Sequence, residues 1–243
     1  MSVLGAGALD ARVERMASAL AAARVRVLGL IADNGPDWVA ADLAAQKAGV
    51  VLVPLPAFFT DTQRAHASGA SGMDGVLGAP LPGFDAAGEI EGLPFYRREP
   101  QPTALPPGTS KITFTSGTTG TPKGVPLSSA QQWAVARALA AATRHLGLRR
   151  HLCLLPLSVL LENVGGVYAP LAAGMEFCVP PLREVGLQGS SSFDAYACLA
   201  AIQRWQADSV ILLPQMLSAL SAALEQGARA PRSLRFAAVG GAR

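Results

Sequence analysis

The stretch VRVLGLIADNGPDWVAADLAAQKAGVVLVP (residues 25–54) decides the fold. VRVLGLIA (25–32) is short, apolar and rich in β-branched residues, the composition of a strand buried on both faces. DNGP follows as a turn. Pro36 suits a first helical position and Gly49 a residue just past the last, so the two bracket a helix over 36–48. VVLVP (50–54) is a second buried strand. A strand, a helix and a second strand at this spacing form a βαβ unit with parallel strands.

The flanks repeat the alternation. Leu9, Val13, Met16, Ala17 and Leu20 follow helical spacing and predict an amphipathic helix within residues 1–24. Thr60 and Gln63 fit a capping box that opens a helix through about Ser68. DGVLG (74–78) reads as a third strand. Residues 79–109 are rich in Pro and Gly and read as connection, with one strand candidate at 94–97. Lys111–Thr115 and Val125–Leu127 are strands, and Ser128 or Ser129 caps a long Ala-rich helix ending near His145. Beyond it lie strands at 151–156, 175–180, 209–214 and 234–241, with helices at 162–174, 191–207 and 214–227. Gly227 caps the last of these. The chain therefore reads as α/β: two successive βα units with mostly parallel sheets flanked by helices. The first is expected over residues 1–150 and the second over 151–243.

Composition narrows the function classes. Of 243 residues, 50% are apolar and 15% charged, with mean hydropathy +0.31, which excludes a disordered tail protein. No apolar run reaches the ~18 residues of a membrane-spanning helix. Asp10, Arg12, Glu14 and Arg15 interrupt the N-terminal segment before a secretory apolar core forms. The net charge of +3 comes from scattered basic residues, 17 Arg and three Lys, unlike the concentrated patch of a nucleic-acid binder. Cys153, Cys178 and Cys198 have no C-x-x-C spacing and are odd in number, which speaks against a zinc finger or a disulfide framework. A reducing, cytoplasmic location is expected.

The loop after the strand at 111–115 carries the chemistry. Thr115, Ser116, Thr118, Thr119 and Thr121 place five hydroxyls in seven positions, interleaved with Gly117 and Gly120 and followed by Pro122, Lys123 and Gly124. Glycines let successive backbone N–H groups turn toward one centre and form an anion-binding concavity. Hydroxyls add rotatable donors, and a lysine adds a point charge for phosphate oxygens. A polyphosphate is the natural ligand. The loop is not a Walker A loop, because Pro122 precedes the lysine, Gly124 follows it and a strand comes next.

TSGTTGTPKG (115–124) closely resembles the phosphate loop of the acyl-adenylate-forming superfamily, which includes acyl-CoA synthetases, peptide-synthetase adenylation domains and luciferases. VLGLIADNGPDWVAADLAAQKAGVVLVPL (27–55) resembles its early βαβ segment. LLPLSVLLENVGGVYAPLAAGMEFCV (154–179) resembles its acyl-pocket segment, and RFAAVGGAR (235–243) its adenine-side strand and loop. The resemblance implies the N-terminal part of an ATP-dependent ligase, most like a long-chain acyl-CoA synthetase. Such an enzyme uses ATP, Mg²⁺ and coenzyme A to convert a carboxylic acid to acyl-AMP and then to acyl-CoA. It assigns Thr115, Ser116, Gly117, Thr118, Thr119, Gly120, Thr121 and Lys123 to phosphates, with Lys123 catalytic, and Gly240, Gly241 and Ala242 to adenine.

Val159 stands where the family often has a His or aromatic residue, and Glu162 where long-chain enzymes often have Glu. Both are expected to be substrate contacts, and Glu162 points to a fatty or other lipophilic acid. The family's Tyr-Gly-x-Thr-Glu motif, ribose-binding Asp and mobile catalytic Lys have no match in the 243 residues. The chain is therefore expected to be a truncated N-terminal portion, inactive alone. The alternatives are a non-catalytic nucleotide or acyl-adenylate binding module, and an adenylation enzyme that loads a carrier protein. Trp38, Trp133 and Trp205 read as packing groups, His66 as a solvated or core residue, and Cys153 and Cys178 as small hydrophobes.

Overall fold

The computed structural model describes residues 6–115, 122–189 and 192–241. They form two compact units: Met1–Ala32 with Pro36–Gln131, and Asp33–Gly35 with Gln132–Arg243. The division between Gln131 and Gln132 falls inside a helix, earlier than the position near residue 150 expected from the sequence.

In the first unit α1 (Ala6–Ala22) precedes β1 (Val27–Ile31), α2 (Pro36–Lys47), β2 (Val51–Pro54), α3 (Asp61–Ser71) and β3 (Gly75–Gly78). A hairpin of β4 (Asp85–Ile90) and β5 (Leu93–Arg97) follows, then β6 (Thr109–Thr115) and β7 (Lys123–Ser128). The seven strands order as β4-β5-β3-β1-β2-β6-β7. The central four are parallel, and each edge is an antiparallel hairpin arm. β1 is buried along its whole length, as the unbroken apolar run requires.

Local chemistry sets the element ends. Thr60 Oγ1 accepts the Gln63 N–H while Gln63 Oε1 accepts the Thr60 N–H, completing the expected capping box on α3. Gly72 ends that helix in the left-handed region, at φ 66°. The buried carboxylate of Asp74 accepts from the N–H groups of Arg26 and Val27 and ties the start of β1 to β3. β4 lies in the segment expected as connection: only Ile90 is buried, so an exposed edge strand made largely of Ala and Gly shows no apolar alternation. Glu91 and Gly92 both have positive φ, the signature of a two-residue hairpin turn.

In the second unit α4 (Ser129–Thr143), which begins in the first, leads to β8 (Arg150–Leu152), a short α5 (Leu160–Glu162), α6 (Ala169–Ala173) and β9 (Glu176–Cys178). β10 (Leu187–Gln188) and β11 (Ser192–Phe193) make a small hairpin, followed by α7 (Ala195–Trp205), β12 (Ser209–Leu212), α8 (Pro214–Glu225) and β13 (Phe236–Val239). A four-stranded sheet, ordered β13-β12-β8-β9, is parallel throughout. Leu152, Leu154, Leu199, Ile202, Val210, Leu212, Met216 and Leu220 pack its core. Asp194 caps α7 by accepting the Ala197 N–H, and Pro214 opens α8. The helix expected at 162–174 starts earlier and contains a π-helical segment over Asn163–Tyr168. Among the described residues no helix is long and apolar enough to cross a membrane.

Candidate functional site

In the first unit β6 and β7 are antiparallel, and Thr115 faces Lys123 as the last register pair. The two ends of the glycine–hydroxyl segment are thereby brought side by side at the tip of a hairpin. Thr115 and Lys123 are exposed and Pro122 is buried. Ser116, Gly117, Thr118, Thr119, Gly120 and Thr121 lie outside the described residues, as does Ala242. Gly124 sits in a close approach, since a Cβ there would lie 3.0 Å from Ile112 Cγ2 and from the Phe114 ring. His66, on α3, donates from Nε2 to the Pro122 carbonyl oxygen at 2.9 Å, and its ring meets Phe114 edge-on with centroids 6.2 Å apart.

The base of β6 is held by charge. Lys111 Nζ lies 2.7 Å from Asp42 Oδ1 of α2, with both side chains only 1% exposed. Burial pushes the Lys111 ammonium below the usual lysine range, and Asp42 opposes that push. Nothing in the periodicity of either segment marks this pair.

In the second unit the segment 154–179 begins with a backbone lock. Asn34 donates from Nδ2 to the Leu155 carbonyl and accepts the Leu157 N–H at Oδ1, each at 2.8 Å. Val159, half-buried and extended, precedes α5. Glu162 is fully buried. Its Oε2 accepts the Leu155 N–H at 2.9 Å, and its Oε1 lies 3.2 Å from His151 Nε2. Ser209 Oγ lies 3.1 Å from the other ring nitrogen, Nδ1. A carboxylate accepts, so Nε2 donates to Glu162, and the Ser209 hydroxyl also reaches the Arg150 carbonyl at 3.5 Å. Glu162 is sealed from solvent with both oxygens engaged. Through these contacts it braces the segment against β8.

His151, Cys153 and Glu162 each offer a ligand atom, all within 4.8 Å of one another. Cys153 donates to the Gly166 carbonyl at 3.5 Å, and a Cβ on Gly166 would overlap this group. The cluster is thus filled by its own hydrogen bonds. Burial, reinforced by Glu162, raises the Cys153 thiol well above the usual range, so it holds its proton. The small-hydrophobe reading of Cys153 fits this setting. Trp38 and Trp205 are buried, and Trp133 stacks on Tyr168 with centroids 4.8 Å apart, so all three tryptophans pack.

At the end of β13, Gly240 donates its N–H to the Leu212 carbonyl at 3.1 Å and extends the ladder. Gly241 has φ 79°, a left-handed conformation that suits glycine. Leu161 lies against Gly240 and Leu213 against Gly241.

Residues 6–243 match the family model of AMP-binding enzymes. Syringomycin synthase SyrB1 of Pseudomonas syringae pv. syringae is 28% identical over 232 residues, covering 88% of this chain and 35% of that protein. The amide bond synthetase McbA from Marinactinospora thermotolerans is 29% identical with a TM-score of 0.72, over 98% of this chain and 50% of that one. o-Succinylbenzoate CoA synthetase (MenE) from Bacillus subtilis, in complex with the acyl-adenylate OSB-AMP, has the same fold. It is 24% identical with a TM-score of 0.71, over 98% of this chain and 62% of that one. The chain thus spans 35% of the curated relative and 50–62% of these solved chains. With the strand–loop–strand hairpin and the parallel α/β units in place, the chain belongs to the AMP-binding enzyme family, within the acyl-adenylate-forming superfamily.

Proposed function

We propose that the protein carrying this chain activates a carboxylic acid with ATP and passes the acyl group to a thiol, that of coenzyme A. In the first step a carboxylate oxygen bonds to the α-phosphorus. The α–β bridging bond breaks, and pyrophosphate leaves with that electron pair. Acyl-AMP results. The thiol sulfur then bonds to the acyl carbon, loses its proton to solvent, and AMP departs.

The observation that carries this reading is the register pair Thr115–Lys123, which closes the hydroxyl-rich segment at a hairpin tip. Phosphoryl transfer asks the protein mainly to position groups and balance charge. Lys123 would hold the β- and γ-phosphate oxygens as charge builds on the leaving group, and Thr115 would orient them through its hydroxyl. Ser116 to Thr121 would complete the cradle. A hydroxyl and an ammonium at the described ends suit an ATP whose Mg²⁺ is held largely by phosphate oxygens. When bound, that ion would neutralise the departing pyrophosphate. Gly240, Gly241 and Ala242 would lie against adenine through their backbone, and Val159 would face the acid. A cytoplasmic location accords with three free cysteines.

ATP–pyrophosphate exchange over a panel of aromatic, short-chain and fatty acids tests the reading on the intact protein. Exchange with at least one class is expected, and its absence in folded protein would overturn the proposal. Transfer to a carrier protein in place of coenzyme A is the second reading. Competition between coenzyme A and a phosphopantetheinyl carrier separates the two acceptors.

A further inference from the structure

We propose that His66 is a positioning residue that holds the exit of the 115–123 loop and so aims Lys123. The proposal rests on the reading of that loop as a phosphate grip. Pro122 has no N–H, so its carbonyl is the only hydrogen-bonding group its backbone offers. It lies one residue past the last ladder pair, Thr115–Lys123, where the sheet no longer dictates its orientation. His66 Nε2 meets that carbonyl oxygen at 2.9 Å. A carbonyl only accepts, so Nε2 must carry a proton, and both the neutral Nε2–H ring and the imidazolium satisfy this.

The donor stands on a firm base. α3 is fixed at its start by the Thr60–Gln63 capping box and at its end by Gly72. The His66 ring is steadied edge-on against Phe114, the cross-strand partner of Gly124. The helix, the strand before the loop and the strand after it therefore converge on the peptide that joins Pro122 to Lys123. A lysine that meets developing charge loses rate steeply when its backbone drifts by a fraction of an ångström. His66 itself is exposed, and the inward residues of α3 are its neighbours Ala67 and Ser68. Its replacement should leave the core intact.

The test uses His66→Phe, which keeps a ring on Phe114 and removes the donor, and His66→Gln, which restores a donor at similar reach. Lys123→Ala is made in parallel. Amide hydrogen exchange at Lys123 and Gly124 is followed by NMR, and ATP affinity with Mg²⁺ present by calorimetry. We expect exchange to quicken at least threefold and ATP affinity to fall three- to tenfold in His66→Phe, with both restored in His66→Gln. The double variant His66→Phe/Lys123→Ala should bind ATP no more weakly than Lys123→Ala alone. Unchanged exchange in His66→Phe overturns the clamp. Quickened exchange with weaker binding in Lys123→Ala alone overturns the aiming role and leaves the phosphate reading standing. If ATP affinity ignores Lys123→Ala as well, the phosphate reading falls and the positioning role falls with it.

Discussion

Lys111 of β6 and Asp42 of α2 form an ion pair at 2.7 Å with both side chains essentially sealed from water. The pair joins the strand that leads into the loop to the helix of the first βαβ unit. Taking two charges out of water is costly, and their attraction offsets that cost only while both are present. Lys111→Met alone should destabilise the fold by about 3–5 kcal/mol, because Asp42 is left charged and buried. The double variant Asp42→Leu/Lys111→Met should recover most of that loss. Urea unfolding of the two singles and the double closes the cycle, and an additive double would refute the coupling.

Glu162 makes an analogous prediction in the second unit. Glu162→Ala strands the Leu155 N–H and a His151 ring nitrogen, and should cost about 2–4 kcal/mol. Glu162→Gln keeps an acceptor for Leu155 and a polar atom for His151, and should cost less than half as much. If thermal melts show the two variants equally damaged, the carboxamide geometry does not substitute and the network is read wrongly.

Two glycines should respond oppositely to alanine. At Gly166 a methyl would press on Glu162, Cys153 and His151 from the π-helical segment. A loss of about 2 kcal/mol or more is expected, since a filled interior does not yield. At Gly69, on α3, a methyl meets nothing within 4 Å. Gly69→Ala should stabilise by about 0.5–1 kcal/mol through helix propensity and a less mobile unfolded chain. Denaturation midpoints read both.

Burial raises the thiols of Cys178 to about 11 and Cys198 to about 12, and that of Cys153 well above its ordinary value. In the native protein at pH 8 a thiol reagent should react slowly at all three, and in denaturant at once. The unfolded chain gives up thiol protons near pH 9, whereas the folded chain keeps them. Between pH 9 and 11 the folded state therefore binds more thiol protons, and the thiols' contribution to stability falls as pH rises. A fall in the midpoint over that window that is as steep after Cys178→Ala and Cys198→Ala would contradict this sign.

For the activity, Lys123→Ala in the intact protein should lower acid-dependent ATP–pyrophosphate exchange at least tenfold. One charge-assisted contact is worth more than about 1.4 kcal/mol, which is tenfold in rate. An unchanged exchange rate removes Lys123 from the mechanism.

Much of this was legible because it is local. The capping box at Thr60–Gln63 depends on a spacing of three residues, and β1 and β2 depend on unbroken apolar runs, so the sequence alone determines them. The loop motif at 115–124 is equally local, and it was enough to name the superfamily. Tertiary structure decided what no window contains. It paired Asp42 with Lys111 and Asn34 with the backbone at Leu155 and Leu157 across long separations in the chain. It made an edge strand of exposed Asp85–Ile90 by supplying β5 as a partner. It also buried Glu162 against His151. Spacing encodes periodicity and turn chemistry, but a charge's role depends on its solvent and its partner, and both exist only once the chain is folded.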